Sequence, residues 1–170
     1  MKKSKEKSIN ENHGISVYGV GPKMTLIFVP FIILLGILNI IFSPVFQLPI
    51  GSIWTMPIGI VLIIIGVFIF IKSEITLRKA FKASELVLTG FYGHMRHPMY
   101  GSFILFIIPG IVIMINSWIL YFLPFIFYII FRVFIKQEES YCLKKFGEKY
   151  THYKKNVHAI FPKSKKYQPN

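Results

Sequence analysis

Residues 99–135 read MYGSFILFIIPGIVIMINSWILYFLPFIFYIIFRVFI, and this stretch contains one charged residue, Arg132. It is about twice as long as the roughly 20 apolar residues with which a helix crosses the hydrocarbon core of a bilayer. Near its middle stand Asn116 and Ser117, which suit a tight polar turn. The stretch therefore predicts two antiparallel transmembrane helices joined at these two residues.

Two more apolar runs precede this hairpin, over residues 24–49 and 49–71, and neither contains an ionisable residue. They predict a first transmembrane helix over residues 24–43 and a second over residues 54–71. The chain is 54% hydrophobic and its mean hydropathy is +0.56, which is higher than expected of a soluble domain. The polar segments between the runs are too short to cover such a core in water. The predicted fold class is an all-α integral membrane protein with four transmembrane helices.

The 20 lysines and arginines, which give the chain a net charge of +13, follow this topology. They precede the first helix, lie between the second and the third, or lie in or after the fourth, whereas the other two loops have none. Positive residues gather on the cytoplasmic side of a membrane, so we expect both termini to be cytoplasmic, in the plasma membrane of a bacterium. The basic face should attract anionic lipids. No nucleic-acid partner is expected, because the lysines flank membrane spans.

Polar residues concentrate at two places, residues 92–100 at the start of the third helix and Glu138-Glu139 just after the fourth. His97 lies about 19 residues before the hairpin turn and Glu138 about 21 residues after it, which at about 1.5 Å per residue is a difference in membrane depth of roughly 3 Å. We therefore expect both clusters to converge at one membrane surface.

The first cluster is suited to an anion and the second to a cation. Pro98 fits the first turn of a helix, so Arg96 and His97 flank a helix N-terminus, where free N–H groups and a guanidinium favour a carboxylate or phosphate. Glu138 and Glu139 offer acceptors to an amine or a sulfonium, and partial burial would allow proton transfer. A zwitterionic ligand matches both clusters. The alternative is that Arg96 pairs with the glutamates as surface charges and His97 caps the helix.

Two further features bear on this site. Pro109 and Pro124 lie almost equally far from the hairpin turn, so both helices are predicted to kink at one depth and open a cleft for a lipid chain. Ordinary packing is the alternative, because prolines are common in transmembrane helices. His94 and His97 lack a third ligand nearby, so no metal site is expected.

Four motifs occur in order, with a hairpin between the second and the third. They are Gly90-Phe91-Tyr92, Arg96-His97-Pro98-Met99-Tyr100, Glu138-Glu139 and Phe146-Gly147-Glu148-Lys149-Tyr150-Thr151-His152-Tyr153. Together they resemble the motifs of the isoprenylcysteine carboxyl methyltransferase and phospholipid methyltransferase superfamily of integral membrane enzymes, over roughly residues 84–162. The chain departs from the family pattern at Phe91, where a proline is usual, and at Gly93, where a basic residue often stands.

The resemblance implies S-adenosylmethionine as the methyl donor, bound on the cytoplasmic side under the C-terminal segment, and a lipophilic acceptor that enters from the bilayer. Arg96 and His97 are expected to hold the donor's carboxylate, and Glu138 its amine or ribose. Glu139 and Arg96 are the predicted catalytic residues, and no metal is expected. The predicted cofactor-binding residues are Tyr92, Arg96, His97, Tyr100 and Glu138.

The residues leave the methyl acceptor open. The expected function is methyl transfer to a carboxyl or hydroxyl group of a lipophilic or lipid molecule, as in the isoprenylcysteine-type enzymes. The main alternative is N-methylation of a phospholipid headgroup. A sterol-type membrane reductase and a non-catalytic membrane protein are the remaining alternatives.

The chain is predicted to have three parts. Residues 1–23 form a basic cytoplasmic tail, residues 24–72 hold the first two transmembrane helices, and residues 73–170 form the catalytic part with a cytoplasmic loop, the hairpin and a cytoplasmic C-terminal segment. In that last segment, apolar residues recur at spacings of three and four with lysines between them, which predicts an amphipathic helix whose continuity Gly147 weakens. Its apolar residues are Leu143, Phe146, Tyr150, Tyr153 and Val157.

Overall fold

A computed structural model describes residues 19–164 and 166–167 of the chain, so the predicted basic tail lies largely outside the described residues. The helices are α1 (Gly21–Ile41), α2 (Ser43–Phe46), α3 (Ser52–Ala83), α4 (Pro98–Ile115) and α5 (Phe122–Asn156). Two 3₁₀ turns, Gly90–Gly93 and Trp118–Tyr121, lead towards α4 and α5. Four of these helices, α1, α3, α4 and α5, are long and apolar enough to cross a membrane. The predicted all-α integral membrane fold is confirmed.

The outward faces of these helices are apolar where a soluble protein would be polar. Leu26, Ile40 and Ile53 expose 76%, 77% and 76% of their surface. Exposing apolar surface to water costs about 25 cal/mol per Å², whereas contact with lipid chains removes that cost. The exposed apolar side chains are therefore explained by a surrounding bilayer.

The four long helices pack as two pairs, α3 on α4 and α1 on α5. Glycines bring the first pair together: a Cβ built at Gly59 would lie 2.6 Å from the carbonyl oxygen of Gly110, and one built at Gly110 would lie 2.8 Å from that of Gly59. Small residues at such crossings let two transmembrane backbones approach closely. In the second pair, the rings of Phe28 and Phe127 lie 4.8 Å apart within the largest apolar cluster.

The loop between α1 and α3 lies against the turn between α4 and α5. The backbone N–H of Leu48 donates to the carbonyl of Asn116 (3.0 Å), and the amide of Asn116 donates to the carbonyls of Leu48 and Ile50 (2.9 and 2.8 Å). Asn116 ends α4 in the left-handed conformation, with φ +58°, which confirms the predicted hairpin turn. These two loops form the hairpin face of the bundle. The opposite end of the bundle holds the start of α4 and the residues around Glu138, and we call it the site face.

The two intramembrane prolines act differently. A π-helical turn over Phe103–Ile107 precedes Pro109 in α4, and it accommodates the missing N–H of that proline. Pro124 lies in the first turn of α5, where backbone N–H groups have no intrahelical partner and proline requires no bend. The prediction of matching kinks was therefore wrong for Pro124.

The C-terminal part of α5 turns back over the site face. Gly147 has φ +54° and ψ −127°, so the helix changes direction at this residue. Beyond α5 the chain lies alongside residues 93–97. The N–H groups of Arg96 and His97 donate to the carbonyls of His158 and Ala159 at 2.8 and 2.9 Å. The segment therefore covers the start of α4.

Candidate active site

The loop before α4 positions the first aromatic residue of the site. Tyr92 lies in the 3₁₀ turn and is 7% exposed, and its carbonyl accepts a hydrogen bond from the hydroxyl of Tyr153 at 2.5 Å. Burial, and next the nearby charge of Glu138, raise the pKa of Tyr92 far above its usual range. The phenol therefore stays neutral and serves as a hydrogen-bonding and packing group.

The histidine end of α4 meets the two glutamates of α5, as the spacing predicts. His97 Nε2 lies 3.3 Å from Glu139 Oε1, and His97 Nδ1 lies 3.8 Å from Glu138 Oε1. The hydroxyl of Tyr100 donates to Glu138 Oε2 at 3.1 Å. The side chain of His97 makes no capping hydrogen bond to α4, so its position is explained by the glutamates.

Arg96 and Glu139 form a buried pair that ties three parts of the chain together. The Nε and Nη2 atoms of Arg96 donate to Glu139 Oε1 at 3.1 and 2.7 Å, and Nη1 donates to the carbonyls of Lys154 and Val157 at 2.9 and 2.5 Å. Lys154 Nζ lies 2.8 Å from Glu139 Oε2. The side chains of Arg96 and Glu139 are only 11% and 10% exposed, so they are not a solvated surface pair. We call this arrangement the Arg96/Glu139 clamp.

The clamp uses most of the donors of its arginine. A guanidinium has five N–H groups, and the hydrogen bonds to Glu139, Lys154 and Val157 occupy four of them. The side chains of three residues, Arg96, His97 and Lys154, converge on the carboxylate of Glu139, and this favours its ionised form. The two residues therefore have little remaining capacity for a ligand.

Glu138 has a different environment. Its side chain is 22% exposed and lines a cavity. Among the described residues, it contacts Tyr100 and His97, and no lysine or arginine forms an ion pair with it. This carboxylate is therefore the one of the two that is available to a ligand.

The cavity has a volume of about 890 Å³ and is lined by residues of α1, α3, α4 and α5. It runs from the site face into the apolar part of the bundle, so one space has a polar end and an apolar end. The residues at the polar end include Tyr92, Arg96, His97, Tyr100 and Glu138, and those at the apolar end include Phe28, Ile32, Phe103, Ile111 and Phe127. All the predicted cofactor-binding residues line it, whereas Glu139 does not.

The structure adds two residues that sequence reasoning missed. Gly19 has φ +58°, and a Cβ built there would lie 2.6 Å from Glu138 Oε2 and 3.2 Å from the hydroxyl of Tyr100. Tyr150 is 2% exposed and lines the cavity. Gly19 carries no sequence signal, because it is far from Glu138 along the chain. Tyr150 belongs to the C-terminal motif, but only the fold directs its side chain inwards.

Over residues 19–164 and 166–167, no group of three or more histidine, cysteine, aspartate or glutamate side chains is arranged to hold a metal ion. The chemistry that the described side chains offer is therefore that of carboxylate, imidazole, phenol and guanidinium groups. These groups bind charged ligands and move protons.

The fold defines an integral membrane protein, with a cavity where the transmembrane helices meet one membrane surface. The sequence profile of the phospholipid methyltransferase family matches residues 54–149, which is more than half of the 170-residue chain. The chain belongs to this family of membrane methyltransferases, and the resemblance of its motifs is confirmed. Comparisons with curated proteins and with solved structures gave no match.

Proposed function

We propose that the protein methylates the amine of a lipid headgroup, with S-adenosylmethionine as the donor. The observation that carries this proposal is a cavity that has both a carboxylate end and an apolar end. A soluble acceptor would need no apolar end inside the bundle, whereas the chain of a lipid needs apolar surroundings when its headgroup reaches the polar end. Membership of the phospholipid methyltransferase family supports a lipid acceptor.

The polar end offers groups that fit the donor. Glu138 provides a negative charge near the donor's sulfonium group, which lies next to the acceptor during transfer, and the aromatic side chains of Tyr92, Phe146 and Tyr150 line the same cavity, where they suit a flat adenine ring. When bound, S-adenosylmethionine supplies an activated methyl group on a positively charged sulfur. The protein has to hold and align the two ligands and exclude water, because alignment lowers the barrier of a displacement reaction.

The free carboxylate favours an amine over a carboxyl group as the acceptor. Glu138 attracts an ammonium and can take its proton at Oε1 or Oε2, which exposes the nitrogen lone pair for methylation. An acceptor carboxylate would instead be repelled by Glu138. Methylation of a carboxyl or hydroxyl group, the first expectation from sequence, stays a prediction that the experiment below separates from this one.

The contacts of the clamp support a positioning role for Arg96 and Glu139. They hold residues 154–159 over the start of α4 and fix His97 beside Glu138. The catalytic role predicted for these two residues is untested. In this proposal Glu138 is the group that contacts the acceptor, and the clamp holds the C-terminal segment over the start of α4.

The site face is proposed to be cytoplasmic. Lysines and arginines near the end of α3, Arg96 of the loop 84–97 and the basic residues of the C-terminal segment lie on it, whereas the loops of the hairpin face contain neither residue type. That distribution follows the rule that positive residues remain inside the cell. S-adenosylmethionine would then reach the site from the cytoplasm.

The proposal is tested with purified protein in nanodiscs that contain phosphatidylethanolamine and methyl-labelled S-adenosylmethionine. We expect label in extracted lipid that resists mild base, because an N-methyl group is stable and a methyl ester is not. Glu138→Gln should lower the rate at least 100-fold, given the usual contribution of a positioned base. Glu148→Gln, the same change on an exposed part of α5, is the matched control.

Three results would contradict the proposal. Base-labile label would assign a carboxyl acceptor. Nicotinamide-dependent reduction without donor binding would indicate a reductase. Absence of donor binding by calorimetry, together with unchanged cellular function after neutralisation of Glu138, would indicate a non-catalytic protein.

A further inference from the structure

The lysine and arginine side chains that line the cavity differ in whether they have a carboxylate partner. Within the described part of the chain they are Arg78, Arg96 and Lys145. Arg78 pairs with Glu74, and Arg96 pairs with Glu139. Lys145 forms no ion pair with a glutamate among the described residues, and its ammonium group lies over aromatic rings instead. Of the three, Lys145 therefore has the most capacity for an anionic ligand.

Aromatic rings from two helices hold the ammonium of Lys145 beside the cavity. Its Nζ atom lies 5.6 Å from the ring centre of Phe81 in α3, and 5.9 and 5.3 Å from those of Tyr141 and Phe146 in α5. All three aromatic residues line the cavity. Rings attract a cation through their faces, but the N–H groups of the ammonium stay available to an oxygen acceptor. The charge is thus positioned without being neutralised.

Lys145 and Glu138 lie on the same side of α5. They are seven residues apart, and at about 100° and about 1.5 Å per residue the second lies nearly above the first, about 10 Å further along the helix axis. Cys142, which lies between them, lines the cavity as well. One side of α5 therefore presents a carboxylate and an ammonium to the same space.

This spacing suits a ligand in which an amine and a phosphate are joined by a short link. An ammonium bound to Glu138 and a phosphate bound to Lys145, each with a hydrogen bond of about 3 Å, together bridge the distance between the two side chains. The amino-acid end of the methyl donor carries its ammonium and its carboxylate on adjacent carbons, so it is too short to reach both. The geometry therefore favours the headgroup of the acceptor.

The depth of Lys145 also matches the phosphate of a lipid. Helix α4 begins beside Glu138, and its 18 residues are long enough to cross the hydrocarbon core, so Glu138 lies at the edge of that core. The headgroup layer extends roughly 5–7 Å beyond it, and the flexible stem of Lys145 allows the ammonium to bend back into this layer. The phosphate then stays at its usual depth, while the headgroup turns inwards and brings the amine to Glu138.

We infer that Lys145 binds the phosphate of the acceptor lipid, and that it makes the protein selective for a phospholipid amine over a long-chain amine without a phosphate. This inference rests on the proposed methylation of a lipid headgroup. A hydrogen bond between two charged groups is stronger than one between neutral groups, so the contact contributes to the affinity for the acceptor. Lys145 takes no proton in the reaction.

The test compares two acceptors, phosphatidylethanolamine and oleylamine, which has no phosphate. Full-length protein is assayed in maltoside micelles, because this detergent adds no phosphate of its own, and the readout is the ratio of kcat/KM for the two amines. Lys145→Met keeps an apolar stem and removes the charge. It should lower the ratio about 10- to 100-fold through a higher KM for phosphatidylethanolamine, the loss expected for one charge-assisted hydrogen bond.

Two further variants serve as controls for this ratio. Lys145→Arg keeps the positive charge and should retain the preference for phosphatidylethanolamine. Lys144→Met makes the same change at an exposed neighbouring position that does not line the cavity, and it should leave the ratio at the wild-type value. A drop in Lys144→Met equal to that in Lys145→Met would overturn the inference, because a general attraction of the basic surface for lipid would then explain both.

Binding of S-adenosylhomocysteine, measured by calorimetry, and thermal unfolding separate the other roles that Lys145 could have. The inference predicts that Lys145→Met changes neither. It is overturned if the ratio stays at the wild-type value, whether donor binding weakens, which would place the donor's carboxylate at Lys145, or the melting temperature falls, which would mean that Lys145 only joins α3 to α5. Absence of methyl transfer to either amine by the wild type would instead refute the proposed function, and this inference with it.

Discussion

Replacing Glu139 by alanine removes the acceptor that Arg96, His97 and Lys154 share. The guanidinium of Arg96 would keep its bonds to the carbonyls of Lys154 and Val157 but lose its counter-ion in a position that is 11% exposed. We expect the segment after α5 to detach from the start of α4 more often, because the clamp joins these two parts of the chain.

The size of the effect follows from the burial of the pair. Removing one partner of a buried ion pair costs about 3–5 kcal/mol, whereas the bond to Lys154, whose side chain is 48% exposed, adds little. Taking the lower value of about 3 kcal/mol, and about 1.4 kcal/mol for each factor of ten, the open population rises roughly 150-fold.

Hydrogen exchange in nanodiscs measures this opening directly. The amides of Arg96 and His97 are bonded to the carbonyls of His158 and Ala159, so they exchange only when the C-terminal segment lifts. In Glu139→Ala these two amides should exchange about 150-fold faster than in the wild type, in line with about 3 kcal/mol. Glu139→Gln, which keeps an acceptor oxygen, should show a smaller increase.

Glu138→Ala is the matched comparison, because it removes the neighbouring carboxylate and leaves the clamp intact. It should abolish methyl transfer without changing the exchange of the Arg96 and His97 amides. If Glu139→Ala lost methyl transfer while those amides exchanged at the wild-type rate, Glu139 would act in the chemistry and the positioning role would be refuted.

Three other substitutions test separate parts of the structure. Gly19→Ala places a Cβ 2.6 Å from Glu138 Oε2 in a left-handed conformation that costs roughly 1–2 kcal/mol, so initial-rate assays should show about tenfold slower methyl transfer. Gly59→Val should separate α3 from α4 at the carbonyl of Gly110 and lower stability by about 1–3 kcal/mol, as measured by thermal unfolding. Ile32→Trp fills the apolar end of the cavity and should reduce methylation of long-chain lipids more than that of short-chain lipids, in a competition assay.

The chain offers a control for the glycine substitutions. A Cβ at Gly36 meets no atom within 4 Å, so Gly36→Ala should keep both rate and stability. Equal rates in Gly19→Ala and Gly36→Ala would mean that the segment before α1 does not position Glu138. If Gly59→Val were as stable as Gly36→Ala, close packing of α3 on α4 would be contradicted. If Ile32→Trp reduced the methylation of short-chain and long-chain lipids equally, the placement of a lipid chain in the cavity would be contradicted.

Hydrophobic length and motif order were sufficient to predict the helices and the meeting of His97 with the glutamates. A transmembrane helix has a fixed rise per residue, so two residues equally far from a hairpin turn must lie at one depth. The turn itself is a local property of Asn116, which adopts the left-handed conformation at low cost. These predictions required no knowledge of how the helices pack.

The division of roles between Glu138 and Glu139 was not predictable in this way. Successive residues on a helix point about 100° apart, so one of the two faces the cavity and the other faces the C-terminal segment. Which one does so depends on the rotation of α5 against α1 and α4. The N–H groups of Arg96 are occupied because the fold brings the carbonyls of Lys154 and Val157 beside it. These residues are far from Arg96 along the chain.

By itself, the sequence determined that the chain spans a membrane four times and that its polar clusters meet at one surface, because both follow from hydrophobic length and local geometry. The tertiary structure alone decided that α1, α3, α4 and α5 line one cavity, that Gly19 lies against Glu138 and that the buried hydroxyl of Tyr150 has no hydrogen-bond partner within residues 19–164 and 166–167. Those facts depend on side-chain packing between segments far apart in the chain, and no periodicity or spacing in the sequence encodes such contacts.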